Sequence, residues 1–169
     1  FLQTLMLGGV GMVVGAGSAE ARSDIAFSTR LVWNAASRQL VTRRRLTWTR
    51  YVPELSRVHA ATPYDCVTIH HQGSRINKNY LYTDVARDLR NVLVAHLEEG
   101  YGDIAYHFIV DQAGAVWEGR SLAYQGAHVS GKNPGNVGIM LLGNYEKQKP
   151  APAQLRTLSV LSRTLCQCL

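Results

Sequence analysis

A short β-branched run ends in two histidines at Cys66-Val67-Thr68-Ile69-His70-His71, and Gly73 then turns the chain. The run is apolar enough to form a strand that is buried on both faces. A strand that ends in ligand-type side chains fixes their position while the next loop stays open to substrate. Because histidines at strand ends are more often structural or surface residues than metal ligands, the pair predicts a site only together with other motifs.

Downstream of this run, hydrophobic periodicity predicts a helix over residues 82–99. Val85, Leu89, Val92 and His96 recur at spacings that place them on one helical face. His96 falls on this inward face, where a packed and hydrogen-bonded core histidine is the default interpretation. The alternative is that His96 approaches a cleft.

The second half of the chain predicts three strands and a final helix. Side-chain alternation indicates a strand over 104–111, a tight turn and a hairpin partner over 115–118. A third apolar strand is predicted over 137–142, and Pro152 suits the start of the last helix. Since helices alternate with strands and one strand pair is a hairpin, we predict an α/β single domain with a central mixed β-sheet flanked by helices. The apolar stripe predicted for the last helix consists of Leu155, Leu158, Leu165 and Leu169.

Composition bounds the class of protein. With 169 residues, 46% of them hydrophobic, the chain is long enough for one domain plus an extension. The net charge of +6 indicates either a polyanionic surface or substrate nearby, or ordinary solubility. No stretch resembles a nucleic-acid-binding module, so no nucleic-acid partner is expected. Three cysteines, Cys66, Cys166 and Cys168, leave one unpaired in any disulfide, and at least one is expected to be buried as a small apolar residue.

The first residues predict export. The segment from Leu5 to Gly17 is apolar and uncharged, and Ala19 and Ala21 give the small-x-small pattern of a signal-peptidase site. The segment is too short for a comfortable membrane span. We therefore predict that residues 1–21 are the remnant of a secretory signal, with an N-terminal membrane anchor as the alternative. We expect an exported protein of the periplasm, extracellular space or cell wall, with no stable membrane span after signal removal.

Residues 22–62 are basic, lack a clear period and are interpreted as an irregular lead-in, whose part near Trp48 to Leu55 is expected to pack on the domain.

Residues 63–169 carry further motifs in a fixed order after the histidine pair. In this order and spacing they resemble the peptidoglycan recognition protein / N-acetylmuramoyl-L-alanine amidase family, the amidase-2 domain. The motifs are Gly102-Asp103-Ile104-Ala105-Tyr106-His107-Phe108, Trp117-Glu118-Gly119-Arg120, Gly126-Ala127-His128 and Asn136-Val137-Gly138-Ile139.

The resemblance implies a zinc amidase that cuts the bond between N-acetylmuramic acid and L-alanine, with peptidoglycan or muropeptides as its partner. It assigns a zinc ligand to His70, a catalytic tyrosine to Tyr106 and a groove-lining histidine to His128. Asn133 and Arg120 are further candidate substrate contacts in that groove. The chemistry is consistent, because zinc lowers the pKa of its bound water to about 7 and polarises a carbonyl. A phenol can hydrogen-bond the tetrahedral oxyanion.

The sequence also departs from the family pattern. Two further zinc ligands of the family follow the last helix, whereas no histidine follows His128 here. We therefore expect an amidase-2-like domain that is incomplete at its C-terminus, so that this chain lacks two ligands and is inactive while the intact protein is an amidase. The alternative from another class is a non-catalytic peptidoglycan-binding module.

Two further histidines are interpreted from strand alternation. A metal site made of His70, His107 and His128 is not expected, because alternation places His107 on the opposite face from Tyr106. His71 points away from His70 and is expected to support or pack beside the site.

Overall fold

Six strands and two long helices form the described part of the chain, which in this computed structural model comprises residues 3–6, 30, 32–74, 78 and 81–169. The strands are β1 (Gln3–Met6), β2 (Thr42–Arg43), β3 (Cys66–His71), β4 (Phe108–Val110), β5 (Val116–Glu118) and β6 (Asn136–Leu141). The helices are α1 (Tyr82–Glu98) and α2 (Pro152–Cys168). A short 3-10 turn lies at Arg45–Thr47, and residues 32–37 are helical.

The strands form one mixed sheet in the order β1-β3-β6-β4-β5-β2. The central strands β3, β6 and β4 run parallel, while β5 forms an antiparallel hairpin with β4. β2 is parallel to β5, and β1 is antiparallel to β3. The β3–β6 ladder runs from Cys66 opposite Asn136 to His71 opposite Leu141. The prediction of an α/β fold on a central mixed sheet is confirmed.

Each face of the sheet buries its own apolar cluster beneath one helix. Phe108 and Val110 lie with Leu161 and Leu165 of α2 in the first cluster. Ile109, between them in sequence, lies in the second cluster with the residues that α1 buries. This split follows from the period of two in a strand, which sends successive side chains to opposite faces. The buried core residues of α1 are Val85, Ala86, Leu89 and Leu93.

The helix boundaries agree closely with the sequence pattern, and of the predicted α2 stripe Leu158, Leu165 and Leu169 pack against the first cluster while Leu155 does not. Leu155, predicted to face inward, is 47% exposed, whereas its neighbour Gln154 is fully buried. The Gln154 side-chain amide donates a hydrogen bond to the Val110 backbone oxygen at 2.8 Å, and the Thr157 hydroxyl donates to the Gly114 oxygen at 2.7 Å. Buried polar side chains are accepted where such bonds satisfy them. The inward face of α2 is thus partly polar, which hydrophobic periodicity could not detect.

The predicted strand over 104–111 is also shorter in the structure. Only Phe108–Val110 pairs as a strand, and residues 104–107 are irregular. Two of their carbonyl groups bond to loops: the Ala105 oxygen accepts from the Ala127 amide, and the Tyr106 oxygen accepts from the Arg120 amide. Only the His107 amide donates to a strand of the sheet, at the Gly138 oxygen of β6. Strand alternation therefore does not govern the side chains of this segment.

Part of the segment before Pro63 is integral to the packed structure. Trp48 is 3% exposed, and its indole nitrogen donates to the Glu118 oxygen at 2.8 Å. Arg45 forms a 2.6 Å ion pair with the fully buried Asp103. Most of the predicted signal remnant, residues 1–21, lies outside the described residues, and so do residues 22–29. The backbone of Gln3–Met6 is described and pairs with β3.

The three cysteines are free thiols, and Cys168 packs against the first cluster.

No helix in the described ranges combines the length and apolar character needed to cross a membrane.

We expect Trp48→Ala to lower the free energy of unfolding by about 3–5 kcal/mol, because it empties a large buried volume and leaves the Glu118 carbonyl without its indole partner. Urea denaturation followed by circular dichroism measures this. Leu46→Ala is the matched control from the same segment, since Leu46 is 67% exposed, and should change stability by no more than about 0.5 kcal/mol. Equal effects of the two substitutions would contradict the inclusion of this segment in the folded unit.

Candidate functional site

Three ring side chains from separate segments converge at one end of the sheet. His70 stands near the end of β3, Tyr106 precedes β4, and His128 lies in the loop between β5 and β6. The His70 ring centroid lies 5.2 Å from that of Tyr106 and 5.1 Å from that of His128. The Tyr106 and His128 centroids are 6.1 Å apart. The structure therefore brings together the three residues that the sequence singled out for metal binding, catalysis and groove lining.

A direct hydrogen bond links the two histidines and fixes their tautomers. The His128 Nε2 atom lies 3.1 Å from the Asn136 backbone oxygen, and a carbonyl can only accept, so Nε2 carries the His128 proton. The His128 Nδ1 atom is then an acceptor, and His70 Nε2, 3.1 Å away, donates to it. Two imidazoles can share such a bond only when the accepting ring is neutral.

Burial keeps both rings neutral. It lowers the pKa of His70 to about 4, with the nearby His71 acting in the same direction. It lowers the pKa of His128 to about 4 as well, while the bond to the Asn136 carbonyl opposes part of that decrease. At pH 7 the site therefore presents neutral imidazoles, the form in which histidine binds a metal or accepts a proton.

Two glycines make room for the His128 ring. A Cβ atom at Gly126 would lie 2.4 Å from His128 Cδ2, and one at Gly138 would lie 2.5 Å from the same atom. The ring thus occupies a slot that any larger residue at either position would fill. The loop is held from the other side by Asn133, whose side-chain oxygen accepts from the amides of His128 and Val129 at 2.9 and 2.8 Å. Asn133, predicted as a substrate contact, here shapes the loop that carries His128.

His107 is buried beneath the site and is not a free ligand. Its Nδ1 atom accepts from the Gly138 amide at 3.0 Å, so its Nε2 atom carries the proton and donates to the Tyr124 oxygen at 3.0 Å. Burial lowers the pKa of His107 to about 3. In the described ranges no group of three or more His, Cys, Asp or Glu residues is placed to hold a metal ion. The alternative site made of His70, His107 and His128 is therefore not formed among these residues.

Arg120, predicted as a substrate contact, is in the interior, and this prediction is corrected. Arg120 is only 3% exposed. The guanidinium donates to the backbone oxygens of Tyr101, Asp103, Ile104 and Gln125. Because Nε and both terminal nitrogens have backbone partners, Arg120 serves the architecture of the site rather than a ligand.

The other two histidines near the site also have structural partners. The His71 Nδ1 atom accepts from the Tyr145 amide at 3.0 Å, and its ring stacks on the Tyr145 ring, away from His70. The His96 Nδ1 atom accepts from the Ala105 amide at 3.0 Å, and its ring centroid lies 5.6 Å from that of Tyr106. His96 of α1 thus lies beside the ring of the catalytic candidate, which agrees with the alternative that it approaches a cleft.

A cavity of about 480 Å³ opens beside His70 and His71. Its walls are mainly apolar and come from β3, β6 and α2 and the segment between β6 and α2. The apolar lining includes Ile69, Leu141, Leu155 and Leu158.

A half-buried cluster of two neutral histidines and a tyrosine thus lies at one end of the α/β sheet. The family model described as N-acetylmuramoyl-L-alanine amidase, amidase-2, matches residues 60–169. The chain therefore belongs to this family, which confirms the resemblance seen in the motifs.

Named relatives include both amidases and peptidoglycan recognition proteins. A human N-acetylmuramoyl-L-alanine amidase is 38% identical over 78 residues, covering 46% of this chain and 14% of its own length. The Drosophila simulans peptidoglycan-recognition protein SD is 27% identical over 140 residues, covering 82% of this chain. The chain spans 66% of the length of that relative.

Solved structures share the fold. Drosophila peptidoglycan recognition protein SD superposes with a TM-score of 0.66 at 23% identity, covering 77% of each chain. Wild-type Drosophila PGRP-LB superposes with a TM-score of 0.65 at 26% identity, covering 77% of this chain and 76% of the other. The PGRP-LCa and PGRP-LCx ectodomain complex, solved with tracheal cytotoxin, gives 0.65 at 25% identity and 76% coverage of each chain.

We expect His70 and His128 to titrate at about pH 4 and His107 at about pH 3. Histidines of the unfolded chain titrate near 6.5, so the folded state binds fewer protons between these values. The contribution of the neutral rings to stability is present above pH 6.5 and is lost as the pH falls through about 4. Nitrogen-15 NMR of the histidine rings measures the three values and, at pH 7, the Nε2–H tautomer of His128. Protonation of either His70 or His128 at pH 5.5 would contradict the burial argument.

Proposed function

We propose that this protein is a zinc-dependent N-acetylmuramoyl-L-alanine amidase, which hydrolyses the amide between N-acetylmuramic acid and L-alanine in peptidoglycan. The observation that carries the proposal is the cluster of His70, Tyr106 and His128, in which two neutral imidazoles and a phenol face one another. Amide hydrolysis needs an activated nucleophile and a donor for the developing oxyanion. Metal ligands and a phenol are suited to these two tasks.

The donor set is compatible with part of a zinc site. Zinc takes neutral imidazole nitrogens, and burial keeps the His70 ring neutral. The His70 Nε2 atom donates its proton to His128 Nδ1 at 3.1 Å, so a metal bound at this nitrogen would replace the bond between the two rings. A catalytic zinc takes three protein ligands. We assign His70 as one of them and infer that the set is completed by residues of the protein other than those described.

The bound zinc would supply Lewis acidity and a water of lowered pKa. The remaining steps fall to side chains of this chain. Burial raises the pKa of Tyr106, so its phenol stays protonated and can donate to the tetrahedral oxyanion. The Asn136 carbonyl keeps the His128 proton on Nε2, which leaves the Nδ1 lone pair turned toward the site. This nitrogen is suited to accept from an N–H or O–H group of the substrate when His70 engages another partner.

Relatives support the choice of substrate class. The human relative is named for the amidase activity, and two solved neighbours, a PGRP-LB mutant and the PGRP-LCa/LCx complex, contain tracheal cytotoxin. We therefore propose peptidoglycan or its muropeptides as the partner of this chain. Such a substrate requires an exported location, in the periplasm, the extracellular space or the cell wall.

A second candidate is a non-catalytic peptidoglycan-binding module. The observation in its favour is that the described residues offer a hydrogen-bonded histidine pair rather than three converging ligands. A binding module needs the groove but no zinc. The two candidates differ in whether muropeptide is cleaved or only bound.

The test uses the full-length protein, muropeptide substrate and chromatographic detection of released peptide, with and without a chelator. Tyr106→Phe is expected to lower kcat by about 100-fold while zinc content stays unchanged, because only the oxyanion donor is lost. His70→Ala should lose both zinc, measured by elemental analysis, and hydrolysis.

His71→Ala is the matched control, since the adjacent ring faces Tyr145 instead of His70. It should keep zinc and most of the activity. Hydrolysis that persists in the chelated protein would refute the zinc mechanism. Muropeptide binding without any cleavage by the zinc-loaded protein would favour the binding module.

A further inference from the structure

The segment that carries Tyr106 lacks a continuous ladder of hydrogen bonds, since only its last residue, His107, bonds to β6. Residues 101–107 are irregular, and β4 begins only at Phe108. The position of the Tyr106 ring therefore depends on bonds from outside the segment. A misplacement of about 1 Å in a catalytic group can cost about 100-fold in rate, so the source of those bonds matters for the site.

One buried guanidinium supplies three of them. Arg120 Nε donates to the Ile104 oxygen at 2.8 Å, and Nη2 donates to the oxygens of Tyr101 and Asp103 at 3.0 and 3.1 Å. The backbone amide of Arg120 also donates to the Tyr106 oxygen at 2.8 Å. Residue 120 thus bonds to four carbonyls of the segment that presents the phenol.

The same guanidinium also reaches the segment that carries His128. Arg120 Nη1 donates to the Gln125 oxygen at 2.7 Å, directly before the Gly126-Ala127-His128 turn. The planar group therefore bridges the two segments, with one edge on residues 101–104 and the other on residue 125. The Ala127 amide, which donates to the Ala105 oxygen at 3.0 Å, is a second link between them.

The hydrogen bonds to carbonyls on both sides require an arginine side chain at position 120. A guanidinium offers five N–H donors in one rigid plane, whereas lysine offers three from a single point. Lysine would keep the charge that faces the buried Asp103 carboxylate but could not reach carbonyls on both sides. Arg45 makes a useful comparison, because it also contacts Asp103 and is largely buried, but its other partners are the oxygens of Gly119 and Tyr51.

We propose that Arg120 is a positioning residue that fixes the Tyr106 ring relative to the His128 ring. Its effect on catalysis rests on the proposed amidase function, but its effect on ring geometry does not. Loss of the guanidinium separates the two segments and misaligns the phenol, while the histidine pair, held by β3, Asn136 and the two glycines, keeps its own bond.

The experiment compares Arg120→Lys with Arg45→Lys in the full-length protein. Nuclear Overhauser contacts between the Tyr106 and His128 rings, 6.1 Å apart between centroids, are measured without substrate. They should weaken in Arg120→Lys and persist in Arg45→Lys, although both variants lose stability. In the hydrolysis assay, Arg120→Lys should lower kcat by about 100-fold with KM changed by less than about threefold, and Arg45→Lys should keep its kcat.

Chemical rescue covers the case in which Arg120→Lys does not fold. Arg120→Ala refolded with methylguanidinium should regain the ring contacts and part of kcat, because the added cation fills the vacated position. Unchanged ring contacts in Arg120→Lys, equal losses in both lysine variants, or rescue of stability without rescue of ring contacts would each overturn the proposal. If the wild-type protein cleaves nothing, the proposed function fails while the ring contacts still decide the role of Arg120.

Discussion

The parallel ladder between β3 and β6 is the constraint on which the site depends. Its register sets Thr68 opposite Gly138 and His70 opposite Met140. Gly138 leaves space for the His128 ring, and its amide donates a hydrogen bond to His107 Nδ1. A slip of one residue would reverse the faces of a whole strand. It would therefore separate His70 from His128 and place a side chain in the slot. The site is thus coupled to the core of the sheet.

Burial then decides the chemistry of the residues that the ladder brings together. Desolvation lowers the pKa values of His70, His107 and His128 and raises that of Tyr106. All four groups are consequently neutral at pH 7. Backbone groups select the tautomers, through the Asn136 carbonyl for His128 and the Gly138 amide for His107. The four rings are therefore oriented as hydrogen-bond donors and acceptors without any of them being charged.

Much of the fold could be predicted because burial leaves a periodic trace in the sequence. The β-branched run predicted β3, and the helical period predicted α1 to within a residue. The prediction failed where polar side chains are buried or where side-chain bonds replace a ladder. Gln154 was missed on α2 for the first reason, and the irregular segment before Phe108 was missed for the second. Hydrophobicity alone carries no information on either.

The sequence by itself determined the family and the mixed α/β class and singled out His70, Tyr106 and His128 as candidates, since these depend on motif order and on side-chain type. Only the tertiary structure decided that Arg120 is interior and that His70 donates to His128. These assignments depend on backbone carbonyls, such as those of Gln125 and Asn136. Every residue has a carbonyl, so its partner in space cannot be recognised until the chain is folded.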